Sequence, residues 1–256
     1  MTTEILVFDS GIGGLTVWQE INQQLPQLCC HYLADNAFFP YGSKTEIEME
    51  QRIEQLLSQT LKKHSIALVV IACNSASTAV LDYLRSQFDL PFVGVVPAIK
   101  PAAQLSKSKK IGLLATEGTV KRDYTQKLID DFASDCQVTK VGSANLAAIA
   151  EQKMLGELVD HQKLAEIIQP LLDDEIDVGV LGCTHYPWLI EELNKLAPSV
   201  KWIDSASAIA NRVASLVEVD NDNKQSQPMF YFTDSDTFAI KQLNTKFNDF
   251  YFSHLS

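Results

Sequence analysis

No apolar run in this chain approaches the ~20 residues that a membrane helix needs. The longest, Ile66–Cys73, has eight, so a buried strand is expected there and a bilayer span is not. Basic residues are also scarce: 21 Lys and Arg stand against 32 Asp and Glu, a formal net charge of −11. A nucleic-acid surface or a docking face for anionic lipid needs clustered Lys and Arg, and neither is expected. An anionic small substrate stays possible, because local donors rather than net charge build its site. Met1-Thr2-Thr3-Glu4 has no basic stretch and no apolar stretch after it, so no secretory signal is read and a cytoplasmic location is expected. The five cysteines (Cys29, Cys30, Cys73, Cys136 and Cys183) are odd in number and contain no close C-x-x-C pair. That argues against a disulfide framework and for free thiols.

What is present is an ordinary globular composition, 46% hydrophobic and 21% charged over 256 residues. This length can bury a substantial core as one large domain or two small ones. Only the polar stretch Asp220–Gln227 has the composition of a disordered segment.

Short apolar runs alternate with amphipathic stretches. Ile5–Phe8, Tyr32–Ala34, Ile66–Ala72, Phe92–Val96, Ile111–Ala115, Val178–Gly182, Lys201–Asp204 and Met229–Thr233 read as strands. Helices are expected from Leu15 to about Gln24, over Thr45–Lys63, from about Ala76 to Phe88, and over Val120–Phe132 and Lys163–Leu172. The wholly apolar strands and the strand–helix alternation predict parallel α/β sheets covered on both faces.

One internal echo organises the rest. Val70-Ile71-Ala72-Cys73-Asn74-Ser75 resembles Val180-Leu181-Gly182-Cys183-Thr184-His185, 110 positions later. Each is an apolar strand, a small residue, a cysteine and two polar residues. They read as equivalent points in two similar parallel-sheet α/β domains facing across a central cleft. Residues 1–95 with 208–256 would form the first domain and 96–207 the second. Ligands of open α/β sheets sit at carboxyl ends of strands, so each domain would contribute one cysteine.

A lone cysteine at a strand end is as readily a small buried hydrophobe as a reactive thiol. Two in echoing contexts, each followed by polar residues, favour chemistry. A helix starting at Ser75 or Ala76 would place its positive end beside Cys73 and favour thiolate. His185 stands in position to assist Cys183. Zinc at Cys183-Thr184-His185 lacks the second Cys/His pair it needs, so no metal is expected. Cys29, Cys30 and Cys136 have no such surroundings and read as structural.

Asp9-Ser10-Gly11-Ile12-Gly13-Gly14 follows the first strand. Such a turn offers backbone N–H groups to an anion, or is simply a tight turn. The dinucleotide fingerprint fails at Thr16, where glycine is required, although Asp35 lies at about the distance of a ribose-binding acid. No Lys-Ser/Thr follows, which excludes a phosphate loop of the P-loop type. A carboxylate at position 9 suits a thiol or a substrate amine better than a phosphate.

Together these pieces resemble the glutamate racemase family. Asp9–Gly14, Pro40-Tyr41-Gly42, Ala72-Cys73-Asn74-Ser75-Ala76-Ser77 and Gly182-Cys183-Thr184-His185-Tyr186-Pro187 match its signatures in order and spacing. The resemblance runs from about Ile5 to Asp204. Ser75 stands where the family usually has Thr, Ser143–Ala150 replaces a Pro-rich segment before Glu151, and the chain after Val217 matches loosely.

The resemblance implies interconversion of L- and D-glutamate without a cofactor, with D-glutamate feeding peptidoglycan synthesis. It implies catalysis by Cys73 and Cys183, with Asp9 serving Cys73 and His185, together with Glu151, serving Cys183. Substrate contacts carry over to Asp9, Ser10, Tyr41, Gly42, Asn74, Ser75, Thr184 and His185. The family often forms dimers, so a homodimer is expected. The rival readings are a racemase of aspartate or another amino acid, a small-anion binding protein without chemistry, and a nucleotide-dependent oxidoreductase.

Overall fold

The computed structural model describes residues 3–218, 227–234 and 251–255. All of Asp220–Gln227 except Gln227 lies outside them. The chain divides into two compact units, Met1–Val95 with Ala206–Ser256, and Val96–Ser205.

The first unit begins with β1 (Glu4–Asp9), α1 (Leu15–Gln24), β2 (Cys29–Ala34), α2 (Glu46–Leu61), β3 (Ile66–Ile71), α3 (Asn74–Gln87) and β4 (Phe92–Gly94). The chain then forms the second unit: α4 (Ile99–Leu105), β5 (Lys110–Ala115), α5 (Glu117–Lys121), α6 (Asp123–Phe132), β6 (Gln137–Gly142), α7 (Leu146–Met154), α8 (His161–Asp173), β7 (Val178–Gly182), α9 (Ile190–Leu196) and β8 (Lys201–Ile203). It returns to the first through α10 (Ala206–Ala214), β9 (Met229–Phe232) and β10 (Tyr251–His254).

Strand order in the first sheet is β10-β9-β2-β1-β3-β4, and in the second β6-β5-β7-β8. Every described pairing is parallel. Both sheets are thus of the covered α/β kind that the apolar strands predict. Ile5, Leu6, Val7 and Phe8 of β1 are all fully buried, each side chain contributing about 1.5–3 kcal/mol of hydrophobic stabilisation. Leu6 and Phe8 pack with Val69 and Ile71 of β3 and with Ile53, Leu56 and Leu57 of α2. In the second unit Ile111, Leu113, Val178 and Val180 join Ile99 and Ala102 of α4.

Local chemistry sets several boundaries. Thr45 caps α2 with a reciprocal pair: its hydroxyl accepts the Glu48 N–H at 3.3 Å, and the Glu48 carboxylate accepts the Thr45 N–H at 2.8 Å. The single helix expected over Val120–Phe132 is two. Arg122 is extended (φ −74°, ψ 142°) and divides α5 from α6. Thr116 caps α5 by accepting the Thr119 N–H, and the buried Thr125 hydroxyl donates to the Thr119 carbonyl at 2.6 Å. These threonine bonds give the backbone an alternative to continuous helix.

Candidate active site

Cys73 follows β3 and is the N-terminal cap of α3 (φ −63°, ψ 114°), one residue earlier than the helix start expected from sequence. The Ala72 N–H donates to the Phe8 carbonyl at 2.8 Å and the Ser77 N–H to the Cys73 carbonyl at 2.8 Å. Ser77 ties this end to its neighbour by donating to the Ile71 carbonyl and accepting the Val95 N–H. The buried Cys73 thiol therefore sits at the positive end of a 14-residue helix, which favours its anionic form. It donates to the Ser10 hydroxyl at 3.7 Å. Asn74 and Ser75 are buried in the first turn of α3, and the Asn74 amide donates to the Val95 carbonyl at 3.5 Å.

Asp9 ends β1 and is fully buried. Its carboxylate accepts the Ser10 N–H at 2.8 Å and the Gly14 N–H through a very short contact. The glycine turn thus spends these two N–H groups on its own carboxylate rather than on an exogenous anion. Gly14 is required here by space: a Cβ would lie 2.7 Å from Asp9 Cβ and 3.0 Å from the Tyr32 hydroxyl. That hydroxyl donates to the Gly11 carbonyl at 2.7 Å and braces the turn.

Pro40 follows a cis peptide bond, and Tyr41 and Gly42 lie in the 3-10 turn Tyr41–Ser43. The buried Tyr41 hydroxyl donates to Asp35 Oδ2 at 2.7 Å. Burial, and then the Asp35 carboxylate, push the Tyr41 pKa well up, so this proton stays on oxygen. Asp35 also receives Arg52 through two bonds of 2.9 and 2.7 Å, and the Thr233 hydroxyl at 2.6 Å. An acid so fully engaged is spoken for as a structural anchor, which removes the main support for the ribose reading.

The second thiol follows β7. Gly182 leaves no space for a side chain, since a Cβ would lie 2.9 Å from both Ala115 Cβ and Leu113 Cδ1. Cys183, Thr184 and His185 are all buried. Cys183 Sγ lies 3.8 Å from His185 Nδ1, and His185 Nε2 lies 2.9 Å from Glu151 Oε1 of α7. Thr184 Oγ1 is 3.5 Å from the same Nδ1. Burial acts to lower the His185 pKa, but the Cys183 sulfur and the Glu151 carboxylate outweigh it and hold the imidazole well above its usual range. The ring thus stands between a carboxylate on one side and a sulfur on the other.

The other thiols differ. Burial and the Glu4 carboxylate push Cys29 up to about 12, and burial pushes Cys30 well above the ordinary range. Burial, followed by the bond to Asp135, raises Cys136. All five cysteines are free. Glu4, His31 and His64 bring donor atoms close enough to hold a cation. However, His31 Nδ1 accepts the Met229 N–H at 3.1 Å, which leaves the ring proton on Nε2, 3.3 Å from Glu4. A protonated Nε2 donates and does not ligate, so these three form a hydrogen-bonded group.

Within the first unit the structure brings Asp9, Ser10, Cys73, Asn74 and Ser75 together at the carboxyl ends of β1 and β3. Within the second it brings Glu151, Cys183, Thr184 and His185 together beyond β7. Sequence reasoning overlooked Arg52 behind Asp35, and Lys153 with Glu192 behind α7. No local pattern announces them, because their partners lie 17 and 39 positions away. Among the described residues, no helix is long and apolar enough to cross a membrane.

A family model described as Asp/Glu/Hydantoin racemase matches residues 5–213. A glutamate racemase of Shewanella denitrificans (strain OS217 / ATCC BAA-1090 / DSM 15013) is 53% identical over 219 residues, 85% of this chain and 79% of that protein. One from Shewanella frigidimarina (strain NCIMB 400) is 50% identical over 232 residues, 90% of each. Among solved structures, Escherichia coli glutamate racemase in complex with L-glutamate and the activator UDP-MurNAc-ala aligns with a TM-score of 0.92. It is 41% identical, with 100% of this chain and 99% of that one covered. The glutamate racemase isoform RacE1 of Bacillus anthracis gives 0.84 at 28% identity, covering 99% and 97%. With matches of this depth across both sheets and both cysteine segments, the chain belongs to the glutamate racemase branch of the Asp/Glu/Hydantoin racemase family and is an amino-acid racemase.

Proposed function

We propose that this racemase interconverts L- and D-glutamate by a cofactor-independent, two-thiol proton transfer. The observation that carries the reading is the pair of strand-end thiols, each buried and each beside groups that favour thiolate. Racemisation removes the α-proton from one face of the substrate and returns a proton to the other. One base would have to cross the substrate, whereas two bases, one for each face, need not move.

In this reading Cys73 takes the proton of D-glutamate and Cys183 that of L-glutamate. In each direction one sulfur starts as thiolate and the other as thiol, and the two exchange states as the proton passes through the carbanion. An ordinary thiol titrates near 8.5, so modest local tuning populates the anion. Asp9 serves Cys73. His185, backed by Glu151, serves Cys183. Ser10, Asn74, Ser75 and Thr184 donate to the substrate carboxylate as charge builds on it, with Tyr41 and Gly42 completing the contacts. The product D-glutamate would supply peptidoglycan synthesis in the cytoplasm, and the protein would act as a homodimer.

The test is incubation of the purified protein with L-glutamate in D2O, without added pyridoxal or metal, following optical rotation and α-proton loss together. Decay of both signals is expected. No change in either with folded protein overturns glutamate as the substrate, and the same assay with aspartate then separates a different racemase from a binding protein.

A further inference from the structure

We infer that Lys153 and Glu192 are positioning residues for the Cys183 thiol, acting by clamping α7 so that Glu151 stays on His185. The inference rests on the role proposed above for Glu151 and His185 and deepens it.

α7 has nine residues; its cap residue Asn145 makes no side-chain capping bond, and one N-terminal N–H, that of Leu146, is taken by the Ser143 hydroxyl at 3.2 Å. Helices this short are marginal without tertiary anchors. Its apolar face, Leu146, Ala147, Ala150 and Met154, is buried. Beyond it the chain runs into the exposed residues Gly156–Leu158, with Leu158 completely exposed. Two polar side chains tie the last turns of α7 to the segment after Cys183. Glu151 meets His185 Nε2 at 2.9 Å. Lys153 Nζ reaches the Trp188 carbonyl at 2.8 Å and Glu192 Oε2 at 2.7 Å. Positions 151 and 153 lie about 200° apart around a helix of 3.6 residues per turn. The helix is therefore held from two sides, by His185 and by the 3-10 turn and α9 that follow it.

The chemistry of the pair suits orientation better than bulk stability. Glu192 is only 7% exposed. Burial opposes its ionisation most, but the bond to Lys153, a backbone hydrogen bond and the charges of Lys153 and Lys195 together outweigh it and hold the carboxyl below its usual range. A hydrophobic pair of similar size would stabilise such a site at least as well. What an ion pair with a fixed carbonyl contact adds is register. A small rotation or slide of α7 would part Glu151 from His185. The titratable groups that bear on the His185 ring are Cys183 on its own segment and Glu151 from α7. Loss of Glu151 would thus remove one of the two titratable groups that hold the proton on the ring.

The test compares wild type, Glu151→Gln, Lys153→Gln, Lys153→Arg and the double variant Lys153→Met/Glu192→Leu. The double variant removes both charges at similar volume, so it leaves no lone buried charge and should fold even if Lys153→Gln does not. The readout is the pH dependence of kcat/KM for racemisation, which is the same from either enantiomer because their equilibrium constant is one, with thermal melting as the folding control. We expect Glu151→Gln to move the alkaline limb to lower pH. The double variant should move the same limb in the same direction, with about a three- to tenfold loss at alkaline pH. Lys153→Arg should restore the limb. If Glu151→Gln moves the limb and the clamp variants lose only melting temperature, the positioning role is overturned and the Glu151 role stands. If Glu151→Gln leaves the limb in place, the Glu151 role fails and the clamp proposal falls with it.

Discussion

The two cysteine segments echo each other in sequence, yet the charge around the two sulfurs comes from different sources. Cys73 caps a 14-residue helix and meets a neutral hydroxyl, Ser10. The nearby Asp9 carboxylate is occupied by backbone N–H groups of its own turn. Cys183 leads into a short 3-10 turn, Tyr186–Leu189, rather than a long helix. In place of a long helix it has His185, whose pKa the Cys183 sulfur and the Glu151 carboxylate hold well above its usual range. Helix ends contribute fixed partial charge, which does not titrate. An imidazolium contributes a full charge that vanishes as pH rises. The comparison teaches that one sequence motif, used twice, can rest on electrostatics of different pH sensitivity, one fixed and one titrating.

The sharpest way to break the comparison is to remove each thiol. Cys73→Ser and Cys183→Ser should each lower full racemisation by about 10²–10⁴-fold, the usual range for a proton-transfer group. Circular dichroism would establish folding, and near-wild-type turnover in either variant ends the two-thiol account. The next effect separates reactive from structural thiols. A group titrating at about 12, as Cys29 does, is ionised at pH 8 to about one part in 10⁴. Iodoacetamide followed by peptide mass spectrometry should therefore label Cys73 and Cys183 well before Cys29 and Cys30. Equal labelling in the folded state contradicts the contrast.

The pH asymmetry comes third. His185 titrates above its ordinary value in the fold, so the imidazolium and the stability it contributes persist below that value and are lost as pH rises through the raised one. Glu151→Gln removes a raising partner. The kcat/KM for racemisation should fall by about tenfold on the alkaline side, equally from either enantiomer because their equilibrium constant is one. An alkaline limb that stays in place would remove His185 as the titrating group behind Cys183. The smallest effects are steric. Gly14→Ala and Gly182→Ala should each destabilise by about 1–3 kcal/mol through overpacking, read by denaturant melts. Only Gly14→Ala pushes directly on Asp9, so its activity should fall further than its stability loss explains.

Much of the fold was legible from periodicity. β7 matches its expected span, and β1, β3 and β5 begin or end within a residue or two, because wholly apolar runs bounded by polar residues have one reading in a parallel sheet. The missed elements have weak patterns. β6 lies on a sheet edge with its residues mostly half-buried or exposed. α7 mixes alanines with few large apolar residues, and α4, α9 and α10 are short. The break at Arg122 was invisible because a buried Thr119–Thr125 bond, not a proline or glycine, makes it.

The candidate site divides along the same line. That Cys73 and Cys183 follow buried strands, and that polar residues come next, is determined by the sequence itself, since strand, turn and helix start are written within about ten residues. Which carboxylate stands behind which group was decided only by tertiary structure. Asp9 turns onto its own glycine loop, Asp35 gathers Tyr41, Arg52 and Thr233, and Glu151 crosses 34 positions to His185. Such pairings depend on how helices pack over a sheet, and no local period encodes them.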